Sequence, residues 1–326
     1  MRRIVLPFLF VALLGGCSLA PTYTRPEAPV PAAWPGGVPP VHEAAKPGEV
    51  PADVPWKDFF VDGKLQKVIG LALSNNRDLR VAALNVERTQ ALYRIQRAEL
   101  LPSVNAGATF SKERVPGILS QSGQPKTTEL YNVNVGVSQW EIDLFGRLRN
   151  LKDAALEQYL ATEQARAGAQ IALVAEVANV YLALAADREN LRLAQSTLET
   201  QQATYEMIRR RAEVGASSDL DLRQAQTRLD AARVDIARYT SQVALDENAL
   251  TLLVGSPVPA ELLADALSEV TAPRDFTPGL PSEALQRRPD IAAAEHQLRA
   301  AHANIGAARA AFFPRITLTT SIGTTS

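Results

Sequence analysis

The stretch Trp140-Glu141-Ile142-Asp143-Leu144-Phe145-Gly146-Arg147-Leu148-Arg149 separates two kinds of sequence pattern. Before it, apolar and polar residues alternate, as in a strand with one apolar and one polar side: Tyr131, Val133, Val135 and Val137 against Asn132, Asn134, Gly136 and Ser138. After Gly146 no proline occurs until Pro257, and the intervening residues are mostly those that favour helix. The sequence therefore predicts that the chain passes here from a β layer to a long α layer.

Composition excludes several classes of function. The 326 residues carry a formal net charge of −1, which is not the charge of a nucleic-acid-binding protein. One cysteine and three histidines allow no internal disulfide and do not predict a metal site. The sequence has no glycine-rich phosphate loop and no histidine beside a plausible nucleophile. We therefore expect neither an enzyme nor a cofactor.

The amino terminus has the features of a signal peptide, assigned to residues 1–17. Two arginines precede the apolar run Ile4–Leu14, which is too short to span a bilayer. The run ends in Leu14-Gly15-Gly16-Cys17, which resembles a bacterial lipobox and predicts that Cys17 is lipidated and retained in the mature chain. An ordinary signal peptide with an incidental cysteine is the alternative. No later stretch reaches 18 consecutive apolar residues, so no transmembrane helix is predicted.

Residues 18–56 form a proline-rich leader, expected to be extended and to lie on the body of the protein. A helical pattern begins near Gly63, with Leu65, Val68, Ile69 and Ala72 on one face, and breaks at Asn75-Asn76. A second helix is predicted from Asp78, its expected N-cap, to Leu101.

Alternation marks two strands, about 103–114 and 129–143, with a polar loop between them. Runs of this length match a transmembrane β-hairpin. A soluble amphipathic hairpin has the same pattern, so alternation alone leaves both structures open.

Residues 147–253 are predicted to form a helical hairpin. Its first helix, Arg147–Glu213, would be roughly 100 Å long. Gly215 follows at a C-cap position, expected at positive φ, and Ser217 or Ser218 can cap the second helix, 218–253. Apolar residues recur every seventh position, which predicts an antiparallel coiled coil: Val177, Leu184, Leu191, Leu198 and Tyr205, then Leu222, Leu229, Ile236, Val243 and Leu250. We expect the helices 78–101 and 218–253 to stack end to end beside the long helix.

The chain also contains an internal repeat. A shift of 212 residues places Asp78 on Asp290 and Pro102 on Pro314 without a gap, and alternation resumes after Pro314. We assign 57–254 to a first copy, 255–280 to a linker and 281–326 to the start of a second copy. The second copy is expected to be incomplete.

Three stretches, together with the lipobox, carry a family resemblance that covers the whole chain: Pro55-Trp56-Lys57-Asp58-Phe59-Phe60, Asn75-Asn76-Arg77-Asp78-Leu79-Arg80 and Trp140–Arg147. They resemble the TolC-like outer-membrane efflux channels, above all the lipoprotein branch typified by OprM and NodT. The resemblance implies a mainly α fold with a β-hairpin module, in which long antiparallel coiled-coil helices join transmembrane β-barrel strands in a tandem repeat. It also implies a homotrimer in outer-membrane lipid.

By the same resemblance, the protein would be the outer-membrane channel subunit of a tripartite efflux system. It would dock with a periplasmic adaptor and an inner-membrane pump of the resistance–nodulation–division (RND) type, and export drugs or small toxic compounds. The adaptor-facing tip would be Val214, Gly215, Ala216 and Ser217, and the strand-to-helix junction Trp140, Asp143, Phe145, Gly146 and Arg147. The helical hairpin 147–253 would then lie in the periplasm. The aspartates that constrict the tunnel entrance in this family would lie in the part of the second copy that is expected to be missing, so the resemblance assigns none of them to a residue of this sequence. Two alternatives stay open: the outer component of a type I protein secretion system, and a periplasmic coiled-coil scaffold lipoprotein.

Overall fold

A computed structural model describes residues 18–26, 54–120, 123–273 and 282–326. Cys17, the rest of the signal peptide and most of the proline-rich leader lie outside the described residues. In chain order the elements are helices α1 (Trp56–Phe59), α2 (Gly63–Asn75) and α3 (Arg77–Ala98), strands β1 (Val104–Val115) and β2 (Lys126–Glu141), helices α4 (Arg147–Glu213), α5 (Asp219–Val254) and α6 (Pro289–Ala310), and strand β3 (Thr317–Thr325).

The described residues fall into two compact units, and each is built from segments distant in sequence. The strand unit takes its described residues from 1–27, 85–164 and 292–326, and the hairpin unit from 28–84 and 165–291. Both units therefore combine residues from the two predicted copies of the repeat. The division into tandem copies stays a prediction, although α6 has the bounds of α3 shifted by 212 residues.

The early helices differ from prediction at one cap. The Asp62 side chain caps α2 by accepting from the Leu65 amide at 2.8 Å. The prediction of Asp78 as the N-cap of α3 is wrong: Asn76 Oδ1 accepts from the Leu79 amide at 2.7 Å, and Asp78 lies in the first turn. Helix α3 then ends at Ala98, because the chain tightens into turns before Pro102.

In the hairpin unit, α4 continues to Glu213 as predicted, and α5 returns from Asp219 to Val254. The heptad residues of both helices are buried or half-buried, whereas most intervening charged residues are exposed. Among the described residues one helix, α4, is long and apolar enough to cross a membrane by length and composition alone. Many of its apolar side chains are instead buried in the hairpin unit, as in the core helix of a folded domain.

The core of the hairpin unit lies where α2 packs against α4 and α5. The four residues of α2 predicted on one face are all buried in it. The Tyr181 hydroxyl donates to the Leu262 carbonyl at 3.1 Å, and burial raises the pKa of Tyr181 to about 12. Asn76 Nδ2 donates to the Leu253 carbonyl at 2.8 Å, so the end of α5 meets the start of α3. The two helix ends predicted to meet therefore do so, whereas the predicted packing of both helices beside α4 stays a prediction.

The strand unit contains an antiparallel sheet in the order β1-β2-β3. Val104 pairs with Val137 and Phe110 with Tyr131, so the apolar residues of β1 and β2 share one face. On the other side of β2, Ile322 of β3 pairs with Val135 and continues that face. The opposite face carries mainly asparagine, glycine, serine and threonine. Large apolar residues of this sheet remain exposed to solvent.

Candidate functional site

Two arginines at the start of α4, each bound to a carboxylate just before the helix, hold the strand-to-helix junction. Arg147 Nε and Nη2 donate to the two carboxylate oxygens of Glu141 at 2.8 and 2.6 Å. These hydrogen bonds raise the pKa of Arg147 above its ordinary value. Asp143 Oδ2 accepts from the Arg149 amide at 2.9 Å and from Arg149 Nε at 3.2 Å. The side chains that precede α4 thus bind residues of its first turn.

Gly146 allows the sharp turn between the end of β2 and the start of α4. Its φ of 78° lies in the left-handed region, which a glycine adopts without steric cost. Phe145, just before it, stacks on Phe313 with ring centroids 4.4 Å apart. The residues predicted as one junction, Trp140, Asp143, Phe145, Gly146 and Arg147, therefore lie together in the strand unit. They fix the direction in which α4 leaves the sheet.

An N-terminal strap (residues 18–26) lies against α6 and the first turn of α4. Ser18 Oγ donates to Asn150 Oδ1 at 2.8 Å, and Arg309 donates to the Leu19 carbonyl at 3.3 Å. Farther along, the Tyr23 hydroxyl donates to Glu295 at 3.2 Å. Sequence reasoning placed the leader on the body without identifying these partners, because the partners are distant in the sequence. Ser18 directly follows Cys17.

The tip between α4 and α5 is closed by two caps. The Gly215 amide donates to the Ala212 carbonyl at 3.0 Å and the Ala216 amide to Arg211 at 2.8 Å, which is the Schellman arrangement. Gly215 has a φ of 71°, so the predicted positive φ is confirmed. Val214 is 78% exposed. The described tip therefore ends in small or apolar uncharged side chains.

Ser218, one of the two predicted caps, begins α5. It forms a capping box with Asp221, in which each side chain binds the other residue's amide at 3.1 Å. The hydrogen bonds from Ser218 hold the pKa of Asp221 below its ordinary value. Asp221 is thereby used in a helix cap. Among the described residues no cluster of three or more His, Cys, Asp or Glu could hold a metal ion.

Comparison with known proteins identifies the family. A model described as "Outer membrane efflux protein" matches residues 68–256 and 280–326. The chain belongs to this family. Outer membrane efflux proteins with similar sequences include TtgC of Pseudomonas putida, named a probable efflux pump outer membrane protein, which is 50% identical over 321 residues. OprJ of Pseudomonas aeruginosa, named an outer membrane protein, is 44% identical over 320 residues.

The alignment with TtgC covers 96% of this chain and 65% of TtgC, and the one with OprJ covers 98% and 66%. The chain therefore spans slightly less than two thirds of the relatives' length. The open-state MtrE outer membrane channel of Neisseria gonorrhoeae superposes with a TM-score of 0.81 at 36% identity, over 95% of this chain and 67% of MtrE. The fold is thus the TolC-like one predicted, and this outer membrane efflux protein resides in the outer membrane of a Gram-negative bacterium.

Proposed function

We propose that the protein is the outer-membrane channel subunit of a tripartite RND-type efflux system. It acts as a passive conduit, without an enzymatic step, through which drugs or small toxic compounds leave the cell. The observation that carries this proposal is the sheet: one face is apolar and exposed, the other polar, and the strands continue directly into a 67-residue helix. Apolar-out and polar-in alternation is the pattern of a strand that separates lipid from a water-filled lumen.

The sheet also supports a homotrimer. Neither outer edge, β1 or β3, is paired with another strand in the described part of the chain. Unpaired backbone groups in lipid cost several kcal/mol each, so a membrane sheet must close on itself. Three copies that contribute strands to one barrel satisfy those edges. The exposed helical hairpins would then line a shared periplasmic tunnel.

The tip Val214–Ser217 is our candidate for the docking site of the periplasmic adaptor, which would connect the channel to the inner-membrane pump. A small, uncharged turn at the end of a coiled coil allows another helical tip to approach closely. The relatives' names support a role in efflux: TtgC is named as a part of an efflux pump.

Cys17 is our candidate for the lipid anchor, since the lipobox ends there and the strap begins with the next residue. Radioactive palmitate should label the wild-type protein, and Cys17→Ser should abolish the label. A closed barrel would still hold the Cys17→Ser protein in the membrane, because an acyl chain adds only about 0.8 kcal/mol per buried CH₂. Label on the Cys17→Ser protein would exclude the assignment.

Single-channel recording tests the proposed function directly. The protein purified from outer membranes should insert into planar lipid bilayers and give steady conductance steps. A strain without the gene should become more sensitive to drugs and recover on complementation. Absence of conductance from correctly assembled trimers, or a deletion strain that retains full resistance, would contradict the proposal.

A further inference from the structure

The apolar alternation of β2 changes phase near its end. The apolar residues Val133, Val135 and Val137 have odd numbers, whereas the next apolar residues, Trp140 and Ile142, have even numbers. Side chains of a regular strand alternate between faces, so a regular strand would place Trp140 on the polar face. It would also place Gln139 and Glu141 on the apolar face.

A β-bulge absorbs this change of phase. Val137 pairs with Thr320 and Trp140 with Leu318, so two residues of β2, Ser138 and Gln139, lie opposite Thr319 alone. Leu318 and Thr320 are two apart on β3 and share a face. Trp140 therefore lies on the same face as Val137, as a bulge with one extra residue requires.

Gln139 has the conformation that makes the bulge. Its φ of 57° is the one positive φ of a non-glycine residue among those the structure describes. Its amide donates to Thr319 Oγ1 at 3.4 Å. A non-glycine residue in the left-handed region is uncommon and strained, which indicates that the surrounding pairing imposes it.

Aromatic residues stand at both ends of the apolar face. At the hairpin end Phe110 pairs with Tyr131, with ring centroids 4.8 Å apart, and the next pair on that face is the ion pair Lys112–Glu129. Trp140 stands nine residues after Tyr131. Because the bulge adds one residue, the two lie eight strand positions apart. That separation is roughly 26 Å along a strand, or about 20 Å along the normal at a tilt of about 40°, which is comparable with the ~25 Å apolar band of membrane barrels.

Trp140 is half-buried, and its indole Nε1 is buried without a hydrogen-bond partner among the described residues. It lines a cleft in which Ile95 and Leu101, which are 62% and 71% exposed, lie beside polar residues such as Arg147. Phe312, which lies just before β3 at the same end of the sheet, is 91% exposed. Exposed apolar side chains beside charged ones fit the boundary between the hydrocarbon core of a bilayer and its headgroups.

We propose that the Gln139 bulge sets the depth of the protein in the bilayer by turning Trp140 toward the lipid headgroup layer at the periplasmic side. Tyr131 and Trp140 then mark the two boundaries of the membrane. The inference rests on the proposed function, because it requires the sheet to span the outer membrane. Its partner is the interfacial layer of a phospholipid bilayer, where tryptophan is enriched.

Depth-dependent fluorescence quenching tests this inference. The protein has three tryptophans, so Trp34→Phe with Trp56→Phe leaves Trp140 as the single reporter. In vesicles of phosphatidylcholine brominated at defined acyl positions, bromines near the headgroup should quench Trp140 most. Deletion of Gln139 should turn Trp140 to the polar face and reduce the quenching. Gln139→Gly keeps the register and should leave the quenching unchanged.

Two reporters on neighbouring residues serve as controls, each placed in a protein whose own tryptophans are replaced. Val135→Trp, on the apolar face, should be quenched most by bromines near the bilayer centre, and Asn134→Trp, on the polar face, should be quenched least. If Val135→Trp reports the bilayer centre and Trp140 is unquenched, the inference falls while the proposed function stands. If Val135→Trp is unquenched as well, both fall. If the protein with Gln139 deleted does not assemble, the quenching of Trp140 in the native register alone tests the inference.

Discussion

Arg147 binds both carboxylate oxygens of Glu141, six residues before it, and so joins the last residue of β2 to the first residue of α4. The two side chains are 22% and 14% exposed. A shielded bidentate pair is stronger than a surface ion pair, because solvent screens it less and its geometry is fixed. The contact therefore fixes the direction in which α4 leaves β2.

Glu141→Gln should destabilise the protein by about 1–3 kcal/mol, since it removes a hydrogen-bonded charge from a shielded guanidinium. Glu129→Gln is the matched control at the other end of β2, where the partner Lys112 is 57% exposed. That change should cost less than about 0.5 kcal/mol. Thermal unfolding of the purified protein followed on gels would separate the two variants. Equal midpoints would show that the junction pair does not stabilise the fold.

A second prediction concerns the contact between the strap and Gly306. A Cβ at Gly306 would lie 2.7 Å from the Ala20 amide nitrogen and 2.7 Å from Asn150 Nδ2, which is closer than real Cβ atoms approach. Gly306→Ala should therefore displace the strap while α6 remains helical. Hydroxyl-radical footprinting should then show increased oxidation of Tyr23, which is half-buried in the native strap.

Gly70→Ala provides the control for helix propensity. Gly70 also lies inside a helix, but a Cβ there meets nothing within 4 Å. The alanine should stabilise α2 by about 1 kcal/mol and leave the oxidation of Tyr23 unchanged. If Tyr23 is equally protected in the Gly306→Ala protein, the strap does not depend on that close contact.

The long elements could be predicted from sequence because their patterns repeat over many residues. The bounds of α4 follow from a run of 67 residues without proline that are mostly helix formers, and the strand faces follow from alternation. The bulge at Gln139 was missed, although its signal is the change of phase between Val137 and Trp140. The contacts of the strap could not be predicted, since Ser18 meets Asn150 only when residues 132 positions apart fold together.

A third feature, two facing carboxyl groups, predicts a dependence on pH. Asp246 lies on α5 beside Asp187 of α4, and its Oδ2 is buried without a hydrogen-bond partner among the described residues. Burial, together with Asp187, raises the pKa of Asp246, and Gln242 donates to its other oxygen at 3.0 Å. The neighbouring charges are already paired: Arg188 binds Glu247 and Asp265. Nothing among the described residues therefore neutralises the pair.

A raised pKa means that the folded protein binds this proton more tightly than the unfolded chain, whose aspartates titrate near ~3.9. This contribution to stability is therefore greatest below that pH and is lost as the pH rises through the raised value. Asp246→Asn should be more stable than wild type by about 1–2 kcal/mol at pH 7, because its amide can donate to Asp187. The gain should shrink toward pH 4.

Thermal melts between pH 4 and pH 8 would measure this difference. Asp230→Asn, on an exposed part of the same helix, removes a charge that pairs with Arg233 and should show no such trend. A gain for Asp246→Asn that is constant with pH would indicate that packing, and not the protonation of Asp246, determines the effect.

The last prediction separates the backbone of the tip from its surface. Gly215 needs a positive φ, which asparagine tolerates and a β-branched residue does not, so Gly215→Asn should keep the hairpin intact and Gly215→Val should disturb it. Ala216 is exposed, and its substitution leaves the Schellman hydrogen bonds of the backbone in place. Under the proposed function, Ala216→Arg should thus preserve the proposed trimers in the outer membrane. It should lose crosslinking to the proposed adaptor and resistance to drugs, because a bulky charge must be desolvated when the tips meet. Ala216→Ser, which is small and uncharged, should retain both. If Ala216→Arg retains normal crosslinking and resistance, Gly215 serves only to end the helix and the adaptor binds elsewhere.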